Sequence, residues 1–144
     1  MLVGDGPLAE PFERLVADLP DQTEWILRLP TPEVVRALDA AWALLLPSRS
    51  EGTPRVILET LCRGRAVIGG RVGGIPDAVH DGSNGYLVDP DDHSGIADAL
   101  VRILSDRSLA ERLGAQAVAD SEQWTYTAEE YAANLEALVE RVAR

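Results

Sequence analysis

The sequence predicts an α/β fold, a parallel sheet flanked by helices, and three observations carry that expectation. Short, wholly apolar runs alternate with stretches of helical periodicity. The runs have the character of strands covered on both faces. The last third of the chain shows only helical spacing.

The expected strands are Met1–Val3, Trp25–Leu29, Ala43–Leu46, Ala66–Ile68 and Tyr86–Val88. Between the first two, Leu8, Phe12, Leu15, Val16 and Leu19 share one helical face. Thr31-Pro32 opens the next helix as a cap followed by proline at the first helical position, and Thr53-Pro54 repeats the signal. The helix that Thr53 opens is expected to end at Gly64, a natural C′ residue, with Cys62 in the core. Ile96, Leu100, Ile103 and Leu104 mark the first of the late helices, followed by Leu109 and Leu113. A capping box, Thr127-Ala-Glu-Glu130, opens the last helix, which is expected to bury Tyr131, Leu135, Leu138 and Val142.

The 144 residues suit one domain, spanning 1–144. The first expected strand begins at residue 1, which suggests a piece of a longer protein. A net charge of −11 argues against a nucleic-acid partner, which would call for a basic face. All 13 basic residues are arginine, so neither a Walker A lysine nor Schiff-base chemistry can come from this chain. The single cysteine excludes an internal disulfide and a cysteine-based zinc site. Asp89, Asp91 and Asp92 fit better as acids at a helix start than as metal ligands, and His80 and His93 as surface or capping residues. No metal site is expected.

Against the acidic background, five arginines between Arg49 and Arg71 face only Glu51 and Glu59, a local excess of +3. Such an island could hold an anion, or its arginines could pair with neighbouring acids. It overlaps the loop Pro47-Ser48-Arg49-Ser50-Glu51-Gly52-Thr53-Pro54, which leaves the carboxyl end of a strand and enters a helix. Ligands of open parallel sheets bind at such places, and a helix start favours phosphate. Glu51 stands where a carboxylate can accept hydrogen bonds from sugar hydroxyls. Glu59 lies about 7.5 Å further along the axis, at ~1.5 Å per residue from Pro54, a spacing that suits a ribose diol. Arg55 and Arg63, at i−4 and i+4, offer Glu59 an alternative as helix-surface partners. In a second loop, Gly69-Gly70-Arg71-Val72-Gly73-Gly74-Ile75-Pro76-Asp77, four glycines let the backbone approach a ligand closely. Gly4-Asp5-Gly6-Pro7-Leu8-Ala9 formally fits a dinucleotide fingerprint, but the acid that motif needs at the end of the next strand is absent.

These loops, in this order, resemble the donor half of the retaining GT-B glycosyltransferases of family 4, group 1. The resemblance includes Leu2-Val3-Gly4-Asp5-Gly6-Pro7, Leu44-Leu45-Leu46-Pro47-Ser48 and Glu51-Gly-Thr-Pro-Arg-Val-Ile-Leu-Glu59, which has the E-x7-E spacing of that family. It continues through Ala66-Val-Ile-Gly, Val72-Gly-Gly-Ile-Pro-Asp77, the segment from Asp81 to Pro90, and Trp124. It implies a Rossmann-like sheet, the C-terminal half of a GT-B fold, binding a nucleoside diphosphate sugar and transferring a hexosyl group with retention. Glu51 would contact the donor sugar and act at the reacting centre, with Gly52, Thr53, Pro54 and Arg55 beside the sugar and diphosphate. Glu59 would bind the ribose. The donor would be a substrate, with no cofactor or metal.

The acceptor, a sugar, a lipid-linked group or another small molecule, would be held by an N-terminal domain outside these residues. The arginine and lysine with which the family grips the diphosphate would lie upstream of the Gly4-Asp5-Gly6-Pro7 segment, also outside these residues. Where the family has a glycine after a strand, this chain has Arg28-Leu29-Pro30. The implied location is cytoplasmic, or peripheral to a membrane through the N-terminal domain. The alternatives are a stand-alone sugar-nucleotide-binding module without activity and a GT-B-like nucleotide-sugar epimerase, against which the glutamate spacing speaks.

Overall fold

The computed structural model describes residues 1–7 and 9–143. They fall into two compact units, Met1–Ala37 and Leu38–Arg144. The five expected strands form, among the described residues, two parallel sheets, one in each unit.

In the first unit, β1 (Leu2–Val3) pairs with β2 (Trp25–Ile26), Leu2 opposite Trp25 and Val3 opposite Ile26. The strand expected to reach Leu29 stops at Ile26, where its partner's ladder also stops, and Leu27 is exposed. Helix α1 (Ala9–Asp18) joins them. The Trp25 ring stacks on Phe12 with centroids 6.1 Å apart, and its indole N–H donates to the Gly4 carbonyl at 2.9 Å. Val16 is half-buried, whereas Phe12, Leu15 and Leu19 stay exposed, because a two-stranded sheet offers little surface to cover them. Leu8 lies outside the described residues. In α2 (Thr31–Ala40) the Val34 amide donates to the Pro30 carbonyl, so the helix starts one residue earlier than its proline signal suggests.

The second unit is built around β3 (Ala43–Leu46), β4 (Ala66–Gly70) and β5 (Gly85–Val88), in that spatial order and all parallel. Every residue of the central strand β4 is buried. Its alternation sends side chains to opposite faces. Val67 joins Ile57 and Leu61 of α3 (Arg55–Cys62) and Ile75 and Ala78 of α4 (Ile75–Ala78). Ala66 and Ile68 join Ala99 and Ile103 of α5 (His93–Ser105) and Leu113 of α6 (Arg107–Ser121). Both faces are therefore closed, as the apolar runs require. Asp92 caps α5 and Asp106 caps α6 through their carboxylates. The Asp106 carboxyl is held below its ordinary range by the Ser108 hydroxyl and the Leu109 amide. Gly64 follows α3 at φ +64°, as a C′ glycine should.

Two expectations about burial fail. Cys62 is exposed and not part of the core. A 3-10 turn (Glu122–Trp124) leads to α7 (Ala128–Val142), whose capping box forms as expected. None of its residues is buried, however: Tyr131, Leu135, Leu138 and Val142 are all exposed, Val142 at 76%. Periodicity identifies an apolar face but not what packs on it, and within these residues no element covers this one. Among the described residues, no helix is long and apolar enough to cross a membrane.

Candidate functional site

The loop from Pro47 to Pro54 leaves β3 at its carboxyl end and enters α3, so Glu51 and Glu59 fall on either side of a helix start. Thr53 was expected to cap this helix. Pro54 occupies the cap position instead, at φ −67° and ψ 121°, and no side chain accepts a hydrogen bond there. Proline before the first turn fixes the entry angle of the chain but contributes no capping group. The Ile57 amide donates to the Pro54 carbonyl at 3.1 Å, while the Arg55 and Val56 amides before it have neither an intrahelical acceptor nor a side-chain one among the described residues.

Glu51 is half-buried, and the Ser48 hydroxyl donates to its Oε1 at 2.8 Å. Glu59 is half-buried one turn inside α3, where Arg55 donates to it at 3.3 Å. The Arg55 side chain is 88% exposed. An exposed i,i+4 pair of this kind contributes only about 0.3–0.5 kcal/mol, so Arg55 and Glu59 can separate at little cost.

The second loop is shorter than its glycines suggest. Gly69 and Gly70 belong to β4, opposite Leu46 on one side and Leu87 and Val88 on the other, and Ile75 already begins α4. What remains, residues 71–74, packs against the first loop through main-chain atoms. The Gly74 amide donates to the Gly52 carbonyl at 2.8 Å. Gly73 has φ +53°, and a Cβ placed on it would lie 1.8 Å from the Glu51 carbonyl oxygen. A Cβ on Gly70 would lie 2.5 Å from the Ser48 carbonyl oxygen. These glycines therefore allow the backbone to approach the Glu51 loop, where sequence alone suggested approach to a ligand.

The positive island is dispersed. Arg49 pairs with Asp91 at 2.7 Å, Arg63 with Asp39 at 2.6 Å and Arg71 with Asp81 at 3.7 Å. Arg65 donates to the Asp39 carbonyl. Arg63 and Arg65 also stand beyond the far end of α3, a helix length of ~12 Å from its start. Of the five arginines, Arg55 is the one in the first turn of α3. The acids at 89–92 are similarly occupied: Asp92 accepts from the Gly95 amide, Asp89 from the Asp91 amide, and Asp91 pairs with Arg49.

A further polar cluster was not anticipated. Asn84, fully buried, donates to the Ala78 carbonyl and to Asp120, and accepts from the His80 amide. Asp120 also receives Gln116 and stands 3.2 Å from His80 Nδ1. Burial raises the Asp120 carboxyl, but hydrogen bonds from Gln116, His80 and Asn84 outweigh it and hold the group below its ordinary range. This cluster ties the turn before β5 to α6. An Asn-Gly pair ahead of a strand hints at a turn, but nothing local points to a partner 36 residues away.

Residues 1–120 match the family described as glycosyl transferases group 1. Over 117 residues, 81% of its length, the chain is 34% identical to the N-acetyl-alpha-D-glucosaminyl L-malate synthase of Bacillus anthracis, of which it covers 31%. Over 129 residues, 88% of its length, it is 31% identical to the sulfoquinovosyl transferase SQD2 of Arabidopsis thaliana, of which it covers 25%. The structure of a sucrose-phosphate synthase from Thermosynechococcus elongatus aligns with 98% of this chain and 37% of that one, at a TM-score of 0.81 and 29% identity. The chain thus spans less than two fifths of the length of each of these three proteins.

Proposed function

Because this chain belongs to the glycosyl transferases of group 1, we propose that it is the donor-binding half of a retaining family 4 enzyme. That enzyme would transfer a hexosyl group from a nucleoside diphosphate sugar to a sugar, lipid-linked or other small acceptor. One observation carries the reading: a half-buried carboxylate, Glu51, is fixed beside an uncapped helix start, with a second carboxylate one turn inside the same helix. The free amides of Arg55 and Val56 and the helix dipole suit a diphosphate, and they stabilise it further as it leaves with the bond electrons. Glu51 accepts hydrogen bonds from the donor sugar and orients it at the reacting carbon. Gly52, Thr53 and Pro54 line the path between sugar and phosphates. On binding, Arg55 exchanges Glu59 for the diphosphate, and Glu59 takes the ribose hydroxyls. The reading assigns no metal and no cofactor, since the helix start and Arg55 meet the diphosphate charge.

In this proposal the 144 residues bind the donor but do not transfer it. Transfer requires an acceptor oxygen held close to the anomeric carbon, and such positioning is worth roughly 7–11 kcal/mol of the barrier. The resemblance assigns that task to an N-terminal domain.

Titration calorimetry of the folded chain with UDP, GDP and ADP tests the reading, and heat with at least one is expected. No heat with any of the three overturns it. Glu59→Ala should weaken nucleotide binding by about 1–3 kcal/mol, the range for a hydrogen bond to a charged group left unmade. Glu51→Ala should leave affinity for the free nucleotide unchanged. Equal affinity of the wild type and Glu59→Ala would return Glu59 to its pair with Arg55.

A further inference from the structure

We propose that Ser48 is a positioning residue that presets the Glu51 carboxylate for the donor sugar; the inference rests on the donor-binding reading. A glutamate in a loop has three rotatable side-chain torsions, and an unheld carboxylate would have to be ordered by the ligand itself. Here the Ser48 hydroxyl donates to Oε1 at 2.8 Å, in a part-buried setting. An ionised carboxylate only accepts, so this bond has one direction. It occupies one lone pair of Oε1 and leaves Oε2 to accept from sugar hydroxyls.

The donor is itself well anchored. Ser48 is two residues past Leu46, the end of β3, and its backbone lies so close to Gly70 of β4 that a Cβ there would come within 2.5 Å of its carbonyl oxygen. The main chain next to Glu51 is held separately, by the hydrogen bond from the Gly74 amide to the Gly52 carbonyl at 2.8 Å. The loop backbone and the Glu51 carboxylate are thus fixed from two sides, one through the glycine loop and one through Ser48. Neither arrangement is needed for burial of the core, since Ile57, Leu61 and Val67 pack without either group.

The readout is the ratio of affinities for a nucleotide sugar and its free nucleotide, which isolates the sugar's contribution. UDP, GDP and ADP, each with its glucose conjugate, are titrated into the wild-type chain, Ser48→Ala and Ser48→Thr. Urea unfolding of each variant checks that the fold is retained. Ser48→Ala should lower the ratio about two- to tenfold, the loss expected when one side chain must be immobilised on binding. Affinity for the free nucleotide should not change. Ser48→Thr, which keeps the hydroxyl, should restore the ratio. A structural role alone would lower both affinities together and leave the ratio fixed, which overturns the proposal. So does a wild type that binds nucleotide without gaining from the sugar. A wild type that binds no nucleotide overturns the donor-binding reading as well, so the two failures are distinguishable.

Discussion

Replacing Gly73 by alanine tests whether the glycine loop is the support of the Glu51 loop. The added Cβ would stand 1.8 Å from the Glu51 carbonyl oxygen, 2.8 Å from its carbon and 3.2 Å from the Gly52 oxygen. Both clashing groups are backbone, so no side chain can rotate away, and one loop must retreat by roughly 1.5 Å to reach ordinary carbon contact distance. Forced overpacking costs about 1–3 kcal/mol. The left-handed backbone at φ +53° adds about 1–2 kcal/mol for a residue with a Cβ. Alanine also restricts the unfolded chain, which returns about 0.4–1 kcal/mol. The net loss should be about 1–4.6 kcal/mol, and with a urea slope of ~2 kcal/mol/M the midpoint should fall by about 0.5–2.3 M. Gly82 is the control, because it has φ +74° and nothing within 4 Å of its would-be Cβ. Gly82→Ala bears the conformational cost alone. Hydrogen exchange at the Gly74 amide, which donates to the Gly52 carbonyl, should accelerate in Gly73→Ala and stay unchanged in Gly82→Ala. Equal midpoint shifts in the two variants, or an unchanged Gly74 amide, would refute the argument that loop contact requires glycine at 73.

Two further outcomes are expected. The native Asp120 carboxyl lies below its ordinary value, so the unfolded chain binds the proton more readily, and stability rises with pH across that interval. The contribution is complete above about pH 5 and is lost as pH falls through the native value. Urea midpoints of the wild type and Asp120→Asn should therefore differ most near neutrality and converge in acid; a constant difference would count against the linkage. For α7, Leu135→Glu and Leu138→Glu should each change stability by no more than about 0.5 kcal/mol, the usual range for surface substitutions. A loss of several kcal/mol would mean that this face is covered.

Much of the architecture is legible in the sequence where local chemistry leaves one solution. Ala43–Leu46 is four apolar residues between two helical patterns, and it forms the strand over the same residues. Thr127 and Glu130 carry their capping box within four residues. Glu51 and Glu59 can be placed about one helix start because α3 follows its loop directly. What escaped depends on partners distant in the chain. Arg49 looks free until Asp91 arrives from 42 residues away. Gly73 reads as a ligand contact until the Glu51 carbonyl is set beside it. Pro54 takes the cap position expected of Thr53, and the helix begins one residue later, because a cap depends on one torsion pair, which residue preference does not determine. Tyr131 to Val142 show that an apolar stripe predicts a packing face without supplying its partner.

The contact between the two loops is made by main-chain atoms, and this separates the shape of the site from the identity of most side chains around it. Arg49, Ser50, Thr53 and Arg71 lie on the same two loops and are exposed. None of them supplies the backbone contacts that set Glu51 in place. A library randomised at those four positions should still yield folded proteins with Glu51 where it is now, whereas one randomised at Gly70 and Gly73 should return almost only glycine. Ligand preference in this scaffold can therefore drift through its exposed side chains while the carboxylate they surround stays put.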